Sequence, residues 1–183
     1  MTAELVREEL DVTSPDRVAE WERAFYRGFA HVTTNRLIRT LWIWNEAQQR
    51  LATRIPYADQ VIYCWRDATG AIVSSIAANV RMERFQSATF GFAPMSGGPP
   101  ACELLAAFNL YDRDLAHVIR VRNSALADLY SRGYRIAYLT TADAVYHLWI
   151  RCGAKVLGEA QIEGERRRFL QFALSPSGVP LPP

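Results

Sequence analysis

Val18, Trp21, Ala24, Phe25 and Phe29 recur at three- and four-residue steps, a spacing that lines one face of a helix. Thr13-Ser14-Pro15-Asp16 supplies the start of that helix, with Ser14 as the cap and Pro15 in the first turn, and Gly28 marks its approaching end. Ahead of it, Leu5 to Val12 alternates loosely and reads as a first strand. Leu37, Leu41, Trp44, Ala47 and Leu51 repeat the helical spacing after Thr33-Thr34-Asn35, which predicts a second helix that Pro56 prevents from continuing.

The pattern then changes to strands. Val61 to Trp65 and Ala71 to Val80 flank Asp67-Ala68-Thr69-Gly70, and two apolar runs around an Asp-to-Gly turn predict a β-hairpin. A Gly/Pro-rich loop from Pro94 to Pro100 separates this hairpin from a buried strand, Cys102 to Leu110. A helix follows from Leu115 to Arg132, with Gly133 suited to its stop, then a strand from Arg135 to Thr140. A short helix from Asp143 to Cys152 ends at Gly153. Val156 to Ile162 and Arg166 to Leu174 make a last hairpin across Glu163-Gly164-Glu165.

Hairpins require antiparallel pairs, whereas the strand–helix–strand unit from Cys102 to Thr140 requires a parallel one. The expected fold is therefore an α/β domain with a mixed central sheet. Substrates of such domains sit at strand ends where neighbouring strands part.

Composition narrows the possibilities. The chain has 183 residues, half of them hydrophobic and 22% charged, the balance of a globular domain rather than a disordered chain. A chain of this length buries roughly 70% of its unfolded surface, enough for one self-sufficient core. Lys+Arg 21 against Asp+Glu 19 leaves a net charge of +2, a weak footprint for nucleic acid, so nucleic acid is not expected as a partner. Apolar stretches such as Val145 to Ile150 fall far short of the roughly 20 residues of a membrane span. Glu4, Glu8 and Glu9 stand where a signal peptide would be basic and then apolar, so the expected compartment is the cytoplasm. Cys64, Cys102 and Cys152 lie far apart, as do His31, His117 and His147, and no metal spacing is present. The last nine residues, Ser175 to Pro183, hold four prolines and are expected to lie as a tail outside a domain of residues 1–174.

Two stretches resemble the GNAT superfamily of N-acyltransferases: D-A-T-G-A-I-V-S at Asp67 to Ser74, and A-L-A-D-L-Y-S-R-G-Y-R-I-A-Y-L-T from Ala125 to Thr140. The second leads into Ala144 to Gly153. The resemblance covers the chain to about Leu174. It implies a single GNAT-like domain with about seven strands and about four helices, and a donor that is acyl-CoA or an acyl-phosphopantetheine, with no metal.

The family's phosphate-binding turn falls by this resemblance on Arg113 to Val118. Such a turn uses backbone N–H groups at a helix start to hold a pyrophosphate. Arg113 and Ala116 suit it; the branched Val118 and the negative Asp112 and Asp114 depart from it. Three readings stay open: a phosphate turn, a plain capped helix start, or a turn that meets a single phosphate on a carrier protein's pantetheine arm. Arg113, Arg120, Arg122 and Arg132 would then face an acidic acyl carrier protein, or simply form a solvated helix face. Phe108, Asn109 and Leu110 at the strand end, with Arg113, Ala116, His117 and Val118, are the candidate donor-binding residues; backbone groups beside Ala107 to Asn109 would polarise the thioester carbonyl.

Acyl transfer to an amine needs a base for the amine proton and benefits from an acid at the leaving thiolate. The resemblance puts a glutamate upstream of the phosphate turn, at Glu103, whose pKa would be raised if buried, suiting it to be the base, with an edge-of-strand glutamate in solvent as the alternative. The family's usual tyrosine acid falls on Trp149; Tyr146, three residues earlier on the same helix face, is the candidate acid, with a packed core tyrosine as the alternative. Acceptor specificity in the family comes from the first two helices, and Phe29 and His31 are the candidate pocket residues.

The expected function is N-acyl transfer from a pantetheine thioester to a small-molecule amine. The alternatives are a non-catalytic GNAT-like binding domain and a transferase fed by aminoacyl-tRNA. An acyl carrier protein and a second copy of the chain are the protein partners this reading admits, with no membrane.

Overall fold

The structure is a computed structural model that describes residues 5–32, 36–111 and 115–183. Nine strands and four helices occur among the described residues: β1 (Val6–Glu9), α1 (Pro15–Phe29), α2 (Arg36–Leu41), β2 (Ile43–Asn45), β3 (Arg50–Ala52), β4 (Gln60–Arg66), β5 (Ile72–Asn79), β6 (Ala101–Asn109), α3 (Leu115–Ser131), β7 (Ile136–Ala142), α4 (Asp143–Ile150), β8 (Lys155–Ile162) and β9 (Glu165–Ala173). Seven strands form the mixed central sheet in the order β1-β4-β5-β6-β7-β9-β8, and β2 pairs with β3 separately. None of the described helices is long and apolar enough to cross a membrane.

The chain divides into two compact units, residues 1–78 with 105–121, and residues 79–104 with 122–183. In the first unit, Ser14 Oγ accepts the Arg17 N–H and Pro15 occupies the first turn of α1, as its residue types dictate. Trp21 and Phe25 on the inner face of α1 are fully buried, and the Trp21 indole N–H donates to Ser75 Oγ of β5 at 2.8 Å. The turn between β4 and β5 closes on Asp67, whose Oδ1 accepts the N–H groups of Thr69 and Ala71. Gly70 there has φ 83, a left-handed conformation that suits glycine.

The expected second helix is replaced past Leu41. Ile43–Asn45 and Arg50–Ala52 form a small antiparallel hairpin, with Trp44 paired to Leu51. Two causes are local. Asn45 Oδ1 accepts the Gln48 N–H and so turns the chain, and Trp42-Ile43-Trp44 is an aromatic and β-branched run that favours strands. A third is tertiary: Arg50 reaches the buried Glu22 of α1, which also accepts the Tyr57 hydroxyl.

In the second unit, β6 and β7 pair in parallel from Ala101↔Ile136 to Glu103↔Tyr138. β7 pairs antiparallel with β9 from Ile136↔Ala173 to Ala142↔Arg167, and β8 with β9 across the Glu163-Gly164 turn. Gly133 and Gly153 have φ 100 and φ 87, marking the two helix ends where the sequence placed them. The Pro-rich tail does not stand apart, contrary to expectation. Leu181 exchanges both backbone hydrogen bonds with Ala173, and Gly153 and Gly178 admit Pro182 and the Asn123 carbonyl at distances no side chain would allow.

Candidate active site

Glu103 lies on β6 with no exposed surface, and its surroundings are polar. Its Oε2 accepts the Gln86 N–H at 2.8 Å, and its Oε1 accepts the Ser87 N–H at 2.8 Å and the Ser87 hydroxyl at 2.5 Å. Residues 86–90 form a 3₁₀ turn, and the residue at its N-cap, Phe85, offers no side-chain cap. Glu103 therefore satisfies from a neighbouring strand the N–H groups that a helix start leaves unpaired. Burial pushes its carboxyl above the usual range, and the hydrogen bonds from Ser87, Gln86 and Asn79 only partly offset that. Of the two alternatives for Glu103, solvent edge or buried carboxyl, the structure has the buried one, with both oxygens engaged by the turn.

The turn carries Phe85 and leads to Phe92, both packed on Tyr138 of β7 or Phe169 of β9. Phe92 and Tyr138 stack on Phe169 at 5.0 and 5.4 Å between centroids, and Phe85 meets Tyr138 and Phe169 edge-on. Gly158 of β8 is where the Phe92 ring lies close enough to exclude a larger residue without a shift. The Tyr138 hydroxyl accepts the Met95 N–H at 3.2 Å.

Tyr146 is half-buried in α4 beneath the guanidinium of Arg168, whose carbon lies 3.9 Å from the ring centroid. Arg168 also pairs with Asp143, at the start of α4, and with Glu159 of β8 at 2.8 Å. Trp149 stacks on Phe172 of β9 at 5.4 Å, a packing role for this side chain. Cys152, at the end of α4, accepts a hydrogen bond from Arg122 at 3.0 Å. Cys102 is fully buried, and its thiol is pushed up to about 12 by burial and by the charge of Glu103.

The candidate donor-binding residues lie in the first unit. Asn109 Oδ1 accepts the Tyr111 N–H at 3.1 Å and the Ser74 hydroxyl at 2.8 Å. Ser74 Oγ lies 2.9 Å from His117 Nε2; with its one proton given to Asn109, the hydroxyl oxygen accepts from Nε2–H. His117 is buried and its ring packs 5.2 Å from that of Tyr111. Asn109 and His117 are thus joined through Ser74, a partner no sequence motif indicated. Phe108 stacks with Phe25, Leu110 donates its N–H to the Val73 carbonyl, and Ala116 and Val118 are exposed on α3. Arg113, with Asp112 and Asp114, lies outside the described residues. Of the acceptor candidates, Phe29 packs into a ring cluster with Phe25 and Trp42, while His31 is exposed in the turn after α1. Sequence reasoning missed Arg168 and Ser74; the one available signal was a polar residue inside a strand that is otherwise buried.

No family model and no curated protein matches the sequence. Solved structures match the fold. The CoA-dependent acyl-homoserine lactone synthase BjaI, determined with SAM and isopentyl-CoA, superposes with a TM-score of 0.73 at 12% identity over 96% of this chain and 86% of that one. The AHL synthase LasI gives a TM-score of 0.73 at 12% identity over 94% and 91%. A protein of Desulfovibrio desulfuricans assigned to the GNAT family of acetyltransferases gives 0.58 at 11% identity over 94% and 100%. The chain therefore has a GNAT-like fold, and the likeness covers nearly all of it.

Proposed function

We propose that this protein is an N-acyltransferase that moves an acyl group from a pantetheine thioester, acyl-CoA or an acylated carrier protein, to the amine of a small molecule. The observation that carries this reading is the likeness to acyl-homoserine lactone synthases over 94% and 96% of the chain, at a TM-score of 0.73. In this reading the amine nitrogen attacks the thioester carbonyl carbon and the C–S bond breaks. The ammonium proton leaves through water, and the thiolate takes a proton from the Tyr146 hydroxyl. Glu103 acts by holding the turn at Gln86 and Ser87 that carries Phe85, since its own oxygens are occupied. Positioning and carbonyl polarisation by backbone N–H groups supply most of the acceleration. SAM is the first acceptor to try, because the BjaI structure holds it.

The test mixes the purified protein with short branched and straight acyl-CoA thioesters, and with acyl carrier protein thioesters, each with SAM or a panel of amines. Amine-dependent thiol release with an N-acyl product by mass spectrometry is the expected result. Donor binding without thiol release would overturn the transferase reading in favour of a binding domain. An N-acylated product formed only with aminoacyl-tRNA, an ester whose C–O bond breaks to free tRNA and no thiol, would replace the donor class.

A further inference from the structure

We propose that Arg168 is a positioning residue for Tyr146, a clamp on β9 that sets the first two turns of α4 so that the tyrosine hydroxyl meets the leaving thiolate. The inference rests on the transferase reading above.

Arg168 sits in the middle of β9, opposite Glu159 on β8 and Thr141 on β7, with its side chain only 9% exposed. Its guanidinium does three things at once. Nε is held by Glu159, Nη1 by Asp143, and the plane lies over the Tyr146 ring. Asp143 and Tyr146 are three residues apart on α4, so one guanidinium grips two successive turns of the same helix face. Arg166, two residues away on the same strand, also holds Asp143, at 3.0 Å. One turn further on, Trp149 rests on Phe172, which fixes the rest of that face.

Charge points to placement as the role. Arg168 and Arg166 face Asp143 and Glu159, two cations against two carboxylates, so the cluster carries no net charge. What the clamp supplies is direction: a planar guanidinium pinned at two corners leaves the ring below it one orientation, whereas a lysine ammonium is a point charge on a flexible stem. A misplacement of about 1 Å at a reacting group can cost on the order of a hundredfold in rate.

The test is a double-mutant cycle on the donor and amine pair that gives turnover, with Arg168→Met, Arg168→Lys, Tyr146→Phe and Arg168→Met/Tyr146→Phe. Arg168→Met is expected to lower kcat on the order of tenfold to a hundredfold with little change in the KM of the thioester, and Arg168→Lys to recover only part of it. In the Tyr146→Phe background the same replacement should cost almost nothing. Losses that multiply in the double variant overturn the proposal, because Arg168 would then act apart from Tyr146. Equal activity of Tyr146→Phe and the wild type overturns it while leaving acyl transfer in place. Should Arg168→Met fold poorly, Arg168→Lys with an unchanged unfolding midpoint carries the same comparison. Tyr146 ring resonances, assigned through Tyr146→Phe, read the clamp without turnover. If they do not move on Arg168→Lys, the proposal fails even where transfer itself is absent.

Discussion

Glu103 on β6 holds the backbone N–H of Gln86, seventeen residues earlier in the chain, at 2.8 Å, and so caps a turn whose own sequence has no capping side chain. Its neighbour Ser87 gives the same carboxylate both an N–H and a hydroxyl. A fully buried charge is expensive unless its lone pairs are filled, and here the Gln86 and Ser87 N–H groups, the Ser87 hydroxyl and the Asn79 side chain supply the donors.

Replacing Glu103 with Gln keeps the volume but turns an NH2 group toward backbone donors. The variant should lose about 1–3 kcal/mol of stability, the cost of leaving buried donors unpaired, read from urea unfolding midpoints. Its pH dependence has a definite sign. The folded carboxyl titrates above its ordinary value of 4.5 because of burial, so the folded state binds more protons than the unfolded state between the two values. The wild type's stability advantage over Glu103→Gln should therefore shrink as pH rises from 4.5 through the raised value, and level off above it. An advantage that grows over that range would contradict the assignment.

Arg66 ties the end of β4 to α1. Nε donates to Glu8 at 2.8 Å, while Nη1 and Nη2 donate to the two oxygens of Glu20 at 2.6 and 2.8 Å. Hydrogen bonding from Arg66 holds the Glu20 carboxyl below its ordinary range. That stabilisation is fully present above pH 4.5 and is lost as pH falls through the lowered value. The site is partly exposed, so Arg66→Ala should cost about 1 kcal/mol at neutral pH and less in high salt. Thermal unfolding at two salt concentrations measures both.

Gly28 of α1 faces Phe108, and a Cβ there would lie 2.9 Å from Phe108 Cβ. Alanine is the better helix former by roughly 1 kcal/mol, yet overpacking typically costs about 1–3 kcal/mol. The clash involves a side-chain stem and not a flexible tip, so Gly28→Ala should destabilise on balance. A raised unfolding midpoint would show that α1 can move away from Phe108.

Gly178, with φ 71, seats the tail against the Asn123 carbonyl, where a Cβ would come within 1.8 Å. Gly178→Ala should therefore release the tail, exposing amides such as Leu181 N–H that now bond to Ala173. Faster hydrogen exchange at Leu181 and easier proteolytic trimming after Leu174 are the expected signs, with the β7–β9 ladder unaffected.

Where the signal was local, the sequence read correctly. The Asp67-to-Gly70 hairpin, the Ser14 cap with Pro15, and the stops at Gly133 and Gly153 each depend on one or two residues acting on their own backbone, so alternation and turn chemistry suffice. Trp44, Ala47 and Leu51 misled because their spacing fits a helix, while Asn45 and the pull of Glu22 on Arg50 bend the same residues into a hairpin. The tail was misjudged for a similar reason: its prolines suggest a loose end, but Gly153 and Gly178 leave the room into which it packs.

By itself, then, the sequence determined an α/β domain with a mixed sheet, the order of most of its elements and the resemblance to acyltransferases, because periodicity and turns are properties of neighbours in the chain. Tertiary structure alone decided what the chemical groups do. Glu103 caps a turn, His117 is committed to Ser74, and Arg168 lies over Tyr146. Each of these pairs joins residues 16 to 43 positions apart, and a buried polar group's role depends on the partner that reaches it, which no local pattern specifies.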